Sequence, residues 1–78
     1  MESKKFGQIT SVSISRDNRY IVGGYESGMV LVWDLYNFKV VKQEKVNNCR
    51  IIKVLFCSES YEYFVVIDEK GFAYLFTI

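Results

Sequence analysis

Three glycines within six residues, Gly23, Gly24 and Gly28, form the first feature that could carry chemistry. Glycines at this spacing can cradle a phosphate, because backbone N–H groups then approach the anion closely. A phosphate loop also needs a lysine and a hydroxyl residue directly after its last glycine, and then a helix. The apolar residues Met29 and Val30 follow instead. The stretch therefore predicts the end of one strand and a tight turn into the next, with Gly28 at positive φ.

Side chains suited to catalysis are scarce in this sequence. It contains no histidine, so the commonest general base is absent and no Ser–His or Cys–His dyad can form. The paired acids Asp68–Glu69 and Glu59 with Glu62 stand in turn contexts without a partner base, which is typical of solvated turn charges. We expect no enzymatic activity, no catalytic residue and no small-molecule substrate.

The two cysteines, Cys49 and Cys57, lie too far apart for a paired-cysteine zinc knuckle, and no histidine completes a site. We therefore expect no metal and no cofactor. Cys57 ends an apolar run, which indicates a small buried side chain. A disulfide between the two is the less favoured alternative to reduced thiols in a cytosolic chain.

Composition and charge limit the class of protein. The 78 residues form at most one small domain, 50% of them hydrophobic and 17% aromatic. Apolar runs such as 64–67 are far shorter than the roughly 20 residues that span a bilayer, and no secretory signal begins the sequence, so we expect a cytoplasmic protein. Ten basic and nine acidic residues are interspersed, which makes nucleic acid an unlikely partner because phosphate binding favours a basic face.

Polar and apolar residues alternate with a period of two, as in half-buried strands. Residues 8–15 show this pattern, and Arg16, Asp17 and Asn18 supply turn chemistry. Further strands are predicted in YIVGG, MVLVWD and FKVVKQEK. There is no proline and no segment of helical period. The pattern predicts an all-β chain.

The second half of the sequence repeats the layout of the first. The equivalent residues are 42 or 43 positions apart: Val12 and Ile14 correspond to Val54 and Phe56, and Tyr20, Val22, Gly28 and Trp33 correspond to Tyr63, Val65, Gly71 and Phe76. Four short strands in a unit of this length are typical of one blade of a β-propeller. We predict an N-terminal extension at 1–7, a first repeat at 8–46 and a second, three-stranded repeat at 47–78.

The pair Trp33–Asp34, preceded by alternating valines and the Gly28 turn, resembles the signature of the WD-repeat family. The resemblance implies about two antiparallel blades of a partial propeller, with Gly28, Trp33, Asp34, Gly71 and Phe76 as its structural motif. The family's Gly-His dipeptide is missing, and Ser27 replaces its turn aspartate. The family's hydrogen-bonded network is therefore expected not to form intact, which would leave the blades held mainly by packing.

The strings ITSVSISRDNRYIVGGYESGMVLVWDL, RIIKVLF and GFAYLFTI together resemble the N-terminal propeller of the vacuolar protein sorting subunit 8 family, part of the CORVET endosomal tether. This resemblance implies a role in vesicle-mediated and protein transport at the endosome surface. It implies other tether subunits and a Rab-family GTPase as protein partners, with membrane contact only through those partners. The family protein is far longer, with a helical solenoid and a RING-type end that this sequence does not contain.

Blade faces pack on neighbouring blades, so apolar strand residues are predicted to form the core. These are Val12, Ile14, Ile21, Val22, Val30, Val32, Ile52, Val54, Phe56, Phe64, Val66 and Leu75. Partner binding is then expected on loops that open on one face, as the family resemblance implies. The candidates are Tyr25, Glu26, Ser27, Asn47, Asn48, Arg50, Asp68, Glu69 and Lys70.

Two questions stay open from the sequence. A small β-barrel could instead bind single-stranded nucleic acid by stacking bases on Tyr20, Tyr25, Tyr61 and Tyr63. Two blades would also leave apolar faces uncovered, whereas a propeller closes with about four to eight blades. We therefore expect further blades or self-association to complete the ring, while Gly23 and Gly24 either admit a neighbouring chain closely or mark decay of the motif.

Overall fold

A computed structural model describes residues 6–57 and 62–78 and contains only strands and turns in this part of the chain. The strands follow the predicted segments closely. They are β1 (Ile9–Ile14), β2 (Tyr20–Tyr25), β3 (Met29–Asp34), β4 (Lys39–Lys45), β5 (Ile51–Phe56), β6 (Tyr63–Asp68) and β7 (Ala73–Thr77). The all-β prediction is confirmed. The predicted turn that contains Glu59 and the stacking candidate Tyr61 lies outside the described residues.

The strands form two antiparallel sheets in which sequence neighbours pair. The first sheet has the order β1-β2-β3-β4 and the second has the order β5-β6-β7. We call them the first blade and the second blade. β5 lies against β1 and β2, so the second blade packs on the first through these two strands. The four-plus-three division matches the predicted repeat with its shorter second unit.

One buried cluster fills the space between the blades. Its members come from both sheets: Val22, Val30, Val32, Ile51, Val54, Phe56, Phe64 and Val66. The strand register explains this, because residues directly opposite each other lie on the same face of a sheet. Val22 pairs with Val32 in the first blade, and Phe56 pairs with Phe64 in the second. We call the two sides that meet here the inner faces, and the other two sides the outer faces.

Four residues predicted to belong to the core lie elsewhere. Val12, Ile14, Ile52 and Leu75 are 51%, 53%, 50% and 66% exposed. The period of two was predicted correctly for β1, but its apolar side points away from the second blade. The pattern shows which residues share a face and does not show which face a neighbour covers.

Hydroxyl side chains of β1 instead face the second blade. Ser11 Oγ accepts a hydrogen bond from the Val54 backbone N–H at 3.1 Å, and Ser13 Oγ accepts one from Phe56 N–H at the same distance. β5 is the edge of its sheet, so these N–H groups have no strand partner there. The serines therefore satisfy backbone donors that the blade contact would otherwise remove from water.

The question about the paired glycines is answered at Gly24. A Cβ atom at this position would lie 2.4 Å from Ile51 Cγ2 and 3.1 Å from Val54 Cγ1. The absence of a side chain therefore lets β5 pack directly on β2. Gly24 therefore admits another strand of the same chain closely, whereas the prediction named a neighbouring chain.

Candidate functional site

Three connections meet at one end of the two blades, and we call this surface the loop end. It consists of the β2–β3 turn at 26–28, the β4–β5 connection at 46–50 and the β6–β7 turn at 69–72. Val46 N–H donates to the Gly28 carbonyl at 2.9 Å, and Glu69 N–H donates to the Arg50 carbonyl at 2.9 Å. The connections are thus held together by backbone hydrogen bonds across both blades.

Charged and polar side chains cover the exposed part of the loop end. The exposed candidates are Glu26, Asn48, Arg50, Glu69 and Lys70. Glu26 and Arg50 approach to 3.8 Å across the two blades, and their side chains keep 39% and 55% of their exposure. An ion pair this long and this exposed contributes little to stability. Both charges therefore remain accessible from solvent.

Tyr25 is buried on the outer face of the first blade. It is fully buried, and its ring meets the Phe6 ring edge-on with centroids 5.8 Å apart. Met29 and Leu31 belong to the same small cluster. In this structure a partner at the loop end can reach Glu26 but not the Tyr25 ring.

Asp68 is fully buried and accepts four hydrogen bonds. Asn47 Nδ2 and the Tyr74 hydroxyl donate to Oδ2 at 3.0 and 3.1 Å, while Lys70 N–H and Phe72 N–H donate to Oδ1 at 3.0 and 3.1 Å. Burial alone would raise the pKa of Asp68, but these hydrogen bonds outweigh it and hold the pKa below its ordinary value. Burial and the bond to Asp68 together raise the pKa of Tyr74.

The sequence analysis did not predict the Asp68 network. The second blade contains a partly buried polar network built from residues outside the family's motif. It joins the β4–β5 connection to the β6–β7 turn through Asn47 and Asp68. The spacing of Asp68 from Gly71 in a turn is the sequence signal that could have indicated it.

The remaining residues of the predicted WD-repeat motif are Gly28, Gly71, Asp34, Trp33 and Phe76. Gly28 and Gly71 have φ angles of 91° and 89°, so the predicted positive φ at Gly28 is present. Asp34 is buried, accepts Tyr36 N–H at 2.8 Å and lies 3.4 Å from the Arg19 guanidinium. Trp33 and Phe76 are both half-buried. Ser27 Oγ is buried and has no hydrogen-bond partner among the described residues.

A cavity on the outer face of the first blade was missed by the sequence analysis. It has a volume of about 370 Å³ and is lined by Ile21, Trp33, Leu35 and Phe38. Phe38 is 82% exposed and has a φ of 58°, unusual for a bulky residue. No spacing rule predicts this cavity, because it depends on which face of the sheet stays uncovered.

Three further properties bear on the class of function. Across residues 6–57 and 62–78, no group of three or more His, Cys, Asp or Glu side chains could hold a metal ion. The same residues include no helix long and apolar enough to cross a membrane. The stacking candidates Tyr20 and Tyr25 are partly and fully buried, and the strands form two separate sheets instead of a barrel.

Two antiparallel blades joined in sequence define a partial WD-repeat β-propeller. Solved structures support this class. The β-propeller domain of Cps50 (Swd1) from Myceliophteria thermophila superposes with a TM-score of 0.80 at 22% identity, over 91% of this chain and 22% of that one. The computationally designed proteins Ika4 and Ika8 give TM-scores of 0.78 and 0.80 at 18% identity, each over 91% of this chain.

The family profile of the Vps8 beta-propeller matches residues 1–78. The chain therefore belongs to the Vps8 beta-propeller family. A search of curated protein sequences finds no match. The chain spans 22% of the length of the Cps50 structure, 41% of Ika4 and 21% of Ika8.

Proposed function

We propose that this chain is a protein-interaction scaffold of an endosomal vesicle tether and that the loop end binds its protein partner. One observation carries the proposal: rigid strands of both blades hold exposed side chains of both charges together on one surface. These side chains are Glu26, Asn48, Arg50, Glu69 and Lys70. Loops on a rigid scaffold are where binding residues concentrate, and arginine is enriched at interface hot spots.

Membership of the Vps8 beta-propeller family supports the choice of partner. A Rab-family GTPase or another tether subunit would bring the chain to the endosome surface, with no contribution from the chain to membrane insertion. The remaining candidates support the surface from beneath. Tyr25, Ser27, Asn47 and Asp68 are buried or half-buried, and all but Ser27 make hydrogen bonds that hold the turns in place. The role is non-enzymatic, since the proposed surface binds a protein and transforms no substrate.

Binding of purified tether subunits and of a GTP-loaded Rab-family GTPase, measured by surface plasmon resonance, tests the proposal. We expect Arg50→Glu and Lys70→Glu to weaken binding at least about tenfold, because each reverses an exposed charge at the loop end. Lys39→Glu is the matched control, since Lys39 is an exposed lysine that begins β4 at the opposite end. Loss of binding with Lys39→Glu alone, or no effect of the loop-end variants, would overturn the proposal.

A further inference from the structure

The outer faces of the two blades carry apolar rows that the described residues cover only in part, and Ile21, at 9% exposure, is the most buried member of these rows. On the first blade, strand pairing aligns Ile14, Ile21, Trp33 and Val40. On the second, it aligns Leu55, Val65 and Leu75. Ile14, Val40, Leu55 and Leu75 are about half exposed or more, at 53%, 49%, 54% and 66%. Apolar residues aligned in this way form contiguous patches of the kind that mark interaction surfaces.

The contact between the two blades shows which residues pack against an apolar row of this kind. On the inner faces, the row Ser13, Val22 and Val32 belongs to the first blade. It packs on the row Phe56, Phe64 and Phe76 of the second blade within one cluster. Lys42, which continues the first row, places its ammonium 6.0 Å from the centroid of the Phe76 ring.

The sequence repeat maps this contact onto the two outer faces. Residues 42 or 43 positions after Ser13, Val22 and Val32 are Leu55, Val65 and Leu75. Residues 42 or 43 positions before Phe56, Phe64 and Phe76 are Ile14, Ile21 and Trp33. The outer row of the second blade is thus equivalent to the row Ser13, Val22 and Val32 of the observed contact. The outer row of the first blade is equivalent to the row Phe56, Phe64 and Phe76.

We infer that two copies of this chain associate head to tail, with Leu55, Val65 and Leu75 of one copy packing on Ile14, Ile21 and Trp33 of the next. The cavity bounded by Ile21, Trp33 and Leu35 is the open counterpart of a filled region on the second blade. There the equivalent residues are Phe64, which belongs to the buried cluster, and Phe76 and Ile78, which pack against that cluster as Tyr20 does. The second copy therefore brings the equivalent of Tyr20, which is Tyr63, to this cavity.

The chemistry of the new contact differs from that of the internal one in one respect. Ser13 accepts a backbone hydrogen bond in the internal contact, and Leu55 at the equivalent position cannot. The contact between copies is consequently more apolar. It is also heterologous, meaning that each copy uses two different surfaces, and such contacts close into rings when the rotation permits.

The mass of the 78-residue chain in solution, measured by light scattering over a wide range of concentrations, tests the inference. We expect oligomers at high concentration that dissociate on dilution. Leu75→Glu and Ile14→Glu should each raise the dissociation constant more than about tenfold, because a charge would be buried against an apolar row. Val41→Glu is the matched control, since Val41 is 46% exposed but belongs to neither row.

Mixing the two variants distinguishes this geometry from others. A head-to-tail contact predicts that Leu75→Glu and Ile14→Glu together form a dimer, because one intact surface remains on each partner. A face-to-face contact predicts that only one of the two variants has any effect. A folded wild-type monomer at every concentration would overturn the inference and leave another segment or protein as the occupant. Circular dichroism checks that each variant is folded. The wild-type mass by itself shows whether the chain associates.

Discussion

Ser13 Oγ accepts a hydrogen bond from the backbone N–H of Phe56 at 3.1 Å, across the contact between the two blades. The bond joins strands that are 43 residues apart in sequence and belong to different sheets. It explains why a polar side chain lies at an apolar contact: the edge strand β5 needs acceptors where water is excluded. The short serine side chain places its hydroxyl within hydrogen-bond distance of this N–H group.

Replacing this hydroxyl should destabilise the fold. Ser13→Ala leaves Phe56 N–H without an acceptor, so we expect the free energy of unfolding to fall by about 1 kcal/mol. Urea unfolding followed by circular dichroism measures the change. Thr77→Ala, at an exposed position in β7, should change it by less than about 0.5 kcal/mol. Equal effects of the two substitutions would contradict the role assigned to Ser13.

The close approach at Gly24 predicts energetic coupling to Ile51. Gly24→Ala should cost about 1 to 3 kcal/mol, because the new methyl group overlaps Ile51 Cγ2. In an Ile51→Ala background Cγ2 is absent and, at this position, only the Cβ atom at 2.9 Å remains close, so the same substitution should cost less. A double-mutant cycle on the free energy of unfolding measures this difference. Additive costs would show that Gly24 does not act through Ile51.

The two turn glycines offer a matched pair of substitutions. Gly71→Ala should cost about 1 to 2 kcal/mol from its positive φ alone, because nothing lies within 4 Å of the new Cβ atom. Gly28→Ala should cost at least about 1 kcal/mol more, since its Cβ atom would lie 1.8 Å from the Asn47 carbonyl oxygen. Thermal unfolding of both variants measures the difference. Similar melting temperatures would mean that the β4–β5 connection moves away freely.

The lowered pKa of Asp68 predicts a pH dependence. The folded state favours the carboxylate, so its stabilising effect is present above the unfolded-state pKa of about 3.9. The effect is lost as the pH falls through the lower folded-state pKa. Asp68→Asn should therefore be less stable than wild type at pH 7, with a flatter loss of stability in acid.

Unfolding by urea at a series of pH values checks the Asp68 prediction. Glu69→Gln is the matched control, because Glu69 is the exposed neighbouring acid in the same turn. We expect this control to keep the wild-type pH profile. An Asp68→Asn profile parallel to that of wild type in acid would mean that Asp68 is not the titrating group.

Much of the fold followed from local patterns. Alternation over 8–15 and the turn residues Asp17 and Asn18 predicted β1 and its turn, because a period of two and side-chain hydrogen bonds to nearby backbone are local properties. The repeat also predicted the pairing of a four-stranded and a three-stranded sheet. The positions of Tyr25 and Asp68 were not predictable in this way. Each is the last residue of its strand and stands three residues before a turn glycine, and only packing shows that their side chains are buried.

Sequence patterns alone predicted the strands, their turns, the internal repeat and the family to which the chain belongs. These depend on residue order and on the geometry of a few neighbouring residues. The tertiary structure alone decided which face of each blade is covered. A sheet with apolar residues on both sides has two equivalent choices locally. Contact with β5 partly buries Ser11 and Ser13 and leaves Val12 and Ile14 exposed, because burial depends on the neighbour that a face meets.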